Sequence, residues 1–308
     1  MAIKINRRTL IKKAILQNNS EILELLIQKG AKINLVYNNI NSTPLNLAID
    51  KNRKEIVKVL IDNGANLNSL DPNIWSPIQR AILNDNLKIL RLLLEKGANV
   101  NLINGSWTPL TLAISFKKIE MVKLLIENGA DIHLIDAKGR TPVTKAVNID
   151  ALDILKLLIE KGANVNLIDS FNWTPLTCAV SYEKVEAVKV LIANGANLDL
   201  CNVTNTSPLS YAITRNNLKI VQLLVDNGAK INSNHVNGMT PFQNAIKEKN
   251  LEMINFFMEN NAELKIRTKH FKYNAIELAL KIDAINIVKK LIHFKCNTCQ
   301  NACRCQYF

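Results

Sequence analysis

Residues 108–130 read TPLTLAISFKKIEMVKLLIENGA, and this stretch carries the punctuation of two short helices. The Thr108 hydroxyl can accept from the orphan N–H groups that open a helix. Pro109 fits the first helical position, where its missing N–H costs nothing. Gly129 supplies the left-handed conformation that stops a helix. Between these marks lie TPLTLAISF and KIEMVKLLIENG, the second filled by the apolar pair Leu124-Leu125.

The same marks recur along the chain. Thr-Pro-Leu or a variant of it begins at Thr43, Ser76, Thr108, Thr141, Thr174, Ser207 and Thr240, at spacings of 33 residues with a single 32. A Gly-Ala pair stands at Gly30, Gly64, Gly97, Gly129, Gly162, Gly195 and Gly228. Weaker copies begin at Thr9 and, after an insertion of one residue, at Asn274. An alanine column runs through nine units: Ala14, Ala48, Ala81, Ala113, Ala146, Ala179, Ala212, Ala245 and Ala279. A methyl group there lets helices approach where a larger residue would overpack. In the eighth unit Asn261 replaces the glycine, the next-best residue for a left-handed stop.

The pattern TPLxxA, a helical stretch, then LLIxxGAxxN at a period of 33 resembles the ankyrin repeat over residues 9 to 295. The resemblance implies an all-α repeat solenoid, a stack of helix-turn-helix units with β-hairpin fingers between them. The expected division is an N-terminal capping repeat over 1–40, seven repeats over 41–270, a C-terminal capping repeat over 271–295 and a Cys-rich tail over 296–308. One departure is systematic: the family's usual histidine after Thr-Pro-Leu is here Asn46, Gln79, Thr111, Thr144, Thr177, Ser210 and Gln243. The hydrogen-bond network that histidine anchors must therefore be rearranged or weaker. The column Asn34, Asn68, Asn101, Asn166 and Asn232 resembles the position at which ankyrin repeats are hydroxylated by an asparaginyl hydroxylase.

Little is left over for catalysis. Seven of ten glycines fill the Gly-Ala column and seven of eight prolines fill the Thr-Pro column, so no glycine-rich phosphate loop can be built. The histidines His133, His235, His270 and His293 are scattered, and stacked units hold them apart from any common nucleophile. The reading is a non-enzyme with no cofactor and no metal site.

The function expected is therefore a protein–protein interaction scaffold or adaptor. All three tryptophans, Trp75, Trp107 and Trp173, stand immediately before a Ser/Thr-Pro, a position that the family places at the finger base on the concave side. The end of helix 1, on the same side, adds Leu83, Phe116, Ile149 and Tyr182 in the central units and turns polar in the flanking ones. Together these residues make an apolar, aromatic stripe with polar flanks, the composition of an interface core. The competing structural role is packing of the tryptophans on neighbouring fingers.

Net charge is +13, which raises an anionic partner as an alternative. Lys58, Arg91, Lys123, Lys156 and Lys189 form a basic column on helix 2, expected on the convex side, that would bind a polyanion in a salt-dependent way. Nucleic acid is disfavoured, because no base-reading motif accompanies the column.

No stretch is long and apolar enough to span a membrane, and the basic N-terminus lacks the apolar segment of a secretory signal. The C-terminus, CNTCQNACRCQYF, offers membrane tethering instead. Cys305 has the spacing of a prenylation signal and Cys303 is a candidate for palmitoylation beside it. Zinc binding by Cys296, Cys299, Cys303 and Cys305, or an inert tail, are the rival readings. The expectation is a cytoplasmic monomer, with a host-cell cytosol compatible, bound to an unidentified protein.

Overall fold

The computed structural model describes residues 7–37, 42–68, 75–202, 206–232, 238–267 and 272–304, with 295–304 described for their backbone alone. Two compact units emerge, one of residues 1–164 with 169–171 and one of 165–168 with 172–308. Among the described residues the first holds five helix pairs: α1 (Arg7–Leu16) with α2 (Ser20–Gln28), α3 (Pro44–Asp50) with α4 (Lys54–Asp62), α5 (Pro77–Leu83) with α6 (Leu87–Glu95), α7 (Pro109–Ser115) with α8 (Ile119–Glu127), and α9 (Pro142–Asn148) with α10 (Leu152–Glu160). The second holds four: α11 (Pro175–Ser181) with α12 (Val185–Ala193), α13 (Pro208–Thr214) with α14 (Leu218–Asp226), α15 (Pro241–Lys247) with α16 (Leu251–Glu259), and α17 (Ala275–Lys281) with α18 (Ile285–Arg304). The architecture is the all-α repeat solenoid that the resemblance implies.

Helices of seven and nine residues are too short to persist alone in water. Their ends and their packing hold them. Thr108 accepts from the Thr111 N–H at 3.0 Å while the Thr111 hydroxyl oxygen accepts from the Thr108 N–H at 3.1 Å. This reciprocal box satisfies two orphan donors. It recurs at Ser76–Gln79, Thr141–Thr144, Thr174–Thr177, Thr240–Gln243 and Asn274–Glu277. The nine alanines of the helix-1 column are at most 1% exposed, so each marks a close helix approach. The second helices fill the core with leucines such as Leu60, Leu93, Leu125 and Leu158, all fully buried.

A second left-handed column joins each helix pair and carries no glycine: Asn18, Asn52, Asp85, Lys117, Asp150, Glu183, Asn216, Lys249 and Asp283 all have φ between 53° and 57°. Neighbouring units are tied through it. Asn86 Nδ2 donates to Asn52 Oδ1 at 2.7 Å and Lys118 Nζ to Asp85 Oδ2 at 2.7 Å. The asparagine column makes a further inter-unit clamp. Asn101 Nδ2 donates to the Gly129 carbonyl at 3.1 Å while its Oδ1 accepts from the Asp131 N–H at 2.8 Å. Asn34 and Asn166 repeat this pair of bonds in their own units. His133 takes the same post, its Nε2 accepting from the Asn164 N–H at 3.1 Å.

The described parts of the fingers are less regular than hairpin ladders. Among the described residues they show isolated antiparallel bridges at Tyr37–Ser42 and Asn104–Trp107. Side chains take the place of ladder partners: Asp136 Oδ1 accepts from the Lys138 and Arg140 N–H groups at 2.9 and 3.0 Å. At the N-terminal end Arg8 lies 5.3 Å from the Tyr37 ring centroid, and burial pushes the Tyr37 phenol up to about 12 although Arg8 draws it down.

Gly139, at φ +76°, shows how tightly fingers meet: a Cβ added there would stand 2.7 Å from Ser170 Cβ. Gly129, at φ +84°, has open space around that position. Gly129→Ala should therefore cost only the left-handed strain, about 1–2 kcal/mol. Gly139→Ala should cost visibly more, because the Ser170 finger must also shift. Thermal unfolding of the two variants side by side checks the order.

Candidate functional site

Helix 1 of each unit ends at a residue whose N–H still bonds back into the helix, and the left-handed residue that follows turns the chain away. Phe116, Ile149 and Tyr182 occupy this capping position on α7, α9 and α11. Their side chains consequently leave the helix at its end rather than along its packed face. Phe116 is 51% exposed in the first unit and Tyr182 49% in the second. Ile149 is half-buried, as is Leu83, the last residue of α5. The first unit thus holds Trp75, Leu83, Trp107, Phe116 and Ile149, and the second holds Trp173 and Tyr182.

The tryptophans are half-buried and have structural duties. The Trp75 carbonyl accepts from Asn46 Nδ2 at 2.7 Å, and the Trp107 carbonyl from Gln79 Nε2 at 3.0 Å. The Trp173 ring lies 5.3 Å from the Tyr211 ring, tilted by 38°. Trp107 meets two cations, with Lys138 Nζ 4.2 Å and Lys145 Nζ 4.4 Å from its centroid. Packing on the following repeat is therefore part of what these rings do, and Phe116 and Tyr182 are the freer aromatics.

The bonds from Asn46 and Gln79 show what replaces the missing histidine. Gln79 also donates to the Asn104 carbonyl at 3.0 Å, and Gln243 Nε2 reaches the Ile266 and Tyr273 carbonyls at 2.9 and 2.8 Å. Amide side chains carry the inter-unit bond where they are present. Thr111, Thr144 and Thr177 close the capping box of their own unit. The network is rearranged, as the substitution pattern predicts.

Sequence reasoning missed Lys145. It lies in α9 and is only 5% exposed, unusual for a lysine. Burial first, then Arg140 and Lys138, hold its ammonium below the ordinary lysine range, against a partial offset from Asp136. Asp136 is itself 4% exposed, and its Oδ2 has no hydrogen-bond partner. The available signal was a Lys beside the column alanine where the adjacent repeats have Leu112 and Cys178, although Lys13 and Arg80 hold the same position elsewhere.

Of the basic column, Lys123 pairs with Glu120 at 2.9 Å and Lys189 with Glu186 at 2.8 Å, each within its own helix. Lys58, Arg91 and Lys156 are exposed. In the tail, Cys303 falls on the described backbone of α18, and Cys305 lies outside the described residues. Among the described residues no helix is long and apolar enough to cross a membrane.

Comparison with known proteins agrees with this geometry. The family model for ankyrin repeats in three copies matches residues 3–71, 58–136, 104–169, 145–235 and 209–302. No curated protein matches the chain. Among solved structures, the crystal structure of the ankyrin repeat domain of Bcl-3, described as a unique member of the IkappaB protein family, aligns with a TM-score of 0.65 at 30% identity, covering 70% of this chain and 97% of that one. With nine helix pairs among the described residues, and glycine stops and Ser/Thr-Pro starts at seven places each, this chain belongs to the ankyrin-repeat family.

Proposed function

We propose that the chain is a non-enzymatic cytoplasmic scaffold, monomeric by itself, that binds a partner protein. The contact surface is the face made by the ends of the first helices and the finger bases, the concave face by family resemblance. One observation carries the reading. The capping position that is polar at Lys51, Asn84, Arg215 and Glu248 presents half-exposed aromatic rings at Phe116 and Tyr182. Exposed aromatics within a polar surround are how interface anchors are built. Neither ring is needed to close its helix, since the cap is a backbone bond.

Affinity capture from cell extract, at moderate and high salt, tests the proposal. Phe116→Ser is expected to weaken capture of a salt-resistant protein partner by about 2 kcal/mol, the scale of an interface hot spot, with circular dichroism unchanged. Tyr182→Ser, examined separately, should weaken it in the same direction. Capture undiminished by both changes would sink the assignment of this face.

A second reading, the same array held at an anionic membrane, draws support from α18. That helix has 20 residues against nine in each other second helix, and it contains four Lys or Arg and no acidic residue. Recovery of the chain with membranes, kept by Phe116→Ser but lost at high salt, would favour that reading. The polyanion reading of the basic column is weakened by the Glu partners of Lys123 and Lys189.

A further inference from the structure

We propose that the first unit receives an acidic side chain of its protein partner in the corner formed by Trp107, Lys138, Arg140 and Lys145. The partner supplies a second carboxylate beside that of Asp136, which alone faces three cations there. This inference rests on the preceding reading of the face as a partner surface.

Repeat symmetry shows what is missing. Arg80 in α5 occupies the same repeat position as Lys145 in α9, one residue before the column alanine. Arg80 has an acid in the preceding unit, Asp50, with Nε 3.4 Å from Oδ1. The residue equivalent to Asp50 in the unit preceding Lys145 is Ser115. Its hydroxyl is turned back onto its own helix, donating to the Thr111 carbonyl at 2.6 Å. Lys145 instead has the Trp107 ring 4.4 Å away, with the Asp136 carboxylate acting on it electrostatically. A cation against a ring is attracted by the ring's quadrupole, but its charge is not cancelled.

Charge accumulates around that vacancy. Lys138 lies against the same ring at 4.2 Å, and both Arg140 and Lys138 act electrostatically on Lys145. Facing them is the single carboxylate of Asp136, whose Oδ1 is committed to the finger N–H groups of Lys138 and Arg140 and whose buried Oδ2 has no hydrogen-bond partner. Three cations against one carboxylate leave a positive excess in a partly desolvated corner. Such a corner binds an added carboxylate more strongly than an exposed lysine can.

The charge is also local. In the adjacent units the position of Lys145 is held by Leu112 and Cys178. A nucleic-acid backbone asks for cations repeated along its length, whereas one acidic side chain asks for one such corner. Phe116 and Ile149 of the same unit add apolar surface. The partner segment that fits has an acidic residue followed or preceded by an apolar one.

The test uses the full chain carrying Trp75→Phe and Trp173→Phe, so that Trp107 alone emits. Hexaglutamate peptide is titrated in, with hexaglutamine as the uncharged control. A saturable change in Trp107 emission is expected with hexaglutamate and none with hexaglutamine. Lys145→Met should weaken the response by about tenfold or more, the scale of one charge-assisted bond. Ser115→Asp should weaken it comparably, because it restores in cis the acid that Arg80 already has. Lys145→Met should keep or raise Tm, since a buried ammonium is removed.

No saturable response to hexaglutamate would overturn the proposal, as would equal titration of the Ser115→Asp chain. A fall in Tm on Lys145→Met with peptide binding retained would make Lys145 a packing residue only. A single-stranded oligonucleotide that quenches Trp107 more strongly than hexaglutamate would make the corner a polyanion site instead. If Phe116→Ser abolishes partner capture while hexaglutamate fails to bind, the partner surface stands and this corner falls.

Discussion

Phe257→Ala is expected to lower the stability of the second unit by about 3–5 kcal/mol, the range for removing a buried aromatic ring. Phe257 sits in α16 and is fully buried, with its ring 6.2 Å from Phe242 and 5.8 Å from Phe256, both near edge-on. Other units place a leucine at this position, among them Leu60, Leu93, Leu125 and Leu158. They likewise place Leu45, Leu110 or Leu176 where Phe242 stands. The eighth repeat has thus exchanged two leucines for two aromatics that pack on each other. Removing one ring leaves a cavity that its rigid partner cannot fill.

The loss should be local, because repeat arrays draw stability from each unit and its nearest neighbours. Hydrogen exchange of Phe257→Ala should show lost protection through α15 and α16 while α5 to α10 keep theirs. Phe257→Leu, which returns the residue type of the other units, should cost clearly less. Uniform loss of protection along all the described helices would contradict the nearest-neighbour account.

What could be read in advance follows from how narrow the steric demands are. A left-handed stop at the end of helix 2 admits Gly, with Asn261 (φ 60°) as the substitute, so the period announced itself. The left-handed column between the helices was not legible. It is filled by Asn, Asp, Lys and Glu alike, from Asn18 to Asp283. There the conformation is imposed by two packed helices of set length, and tertiary context overrides residue preference. The bonding within the described fingers was legible only in part. Asx-type turns such as that of Asp136 take the donors a ladder would use.

The candidate site divides along the same line. Phe116 and Tyr182 were legible as surface because they follow the alanine column in a repeat whose helices have fixed ends. The double role of the tryptophans was only half legible: the sequence places Trp107 at a finger base, but not the two ammonium groups against it. Lys145 was missed although its place beside the column alanine is apolar in the adjacent repeats, since lysine is ordinarily solvated and Lys13 and Arg80 recur at that position.

Gln79→Ala is the prediction that joins the scaffold to the site. Gln79 is fully buried and makes three bonds. Its Oε1 accepts from the Ser76 N–H at 3.1 Å, and its Nε2 donates to the Asn104 and Trp107 carbonyls at 3.0 Å each. Alanine would strand the buried Ser76 N–H and take one donor from each of two carbonyls, of which that of Trp107 keeps the Asn104 N–H at 3.3 Å. Each stranded group costs about 1–3 kcal/mol where water cannot reach it. Relaxation of the finger toward solvent will recover part of that, so a net loss of about 3 kcal/mol is expected, read from urea unfolding. Thr111→Ala, which removes a box closed within its own unit, should cost about 1 kcal/mol. The two variants also differ at the surface. Gln79 holds the carbonyl of Trp107, so its loss should loosen that finger and shift Trp107 emission toward that of a solvated indole. Thr111→Ala should leave the emission in place. Equal stability losses with unchanged Trp107 emission in both would mean that the amide does not position the finger, and the histidine's usual task would then have no successor in this unit.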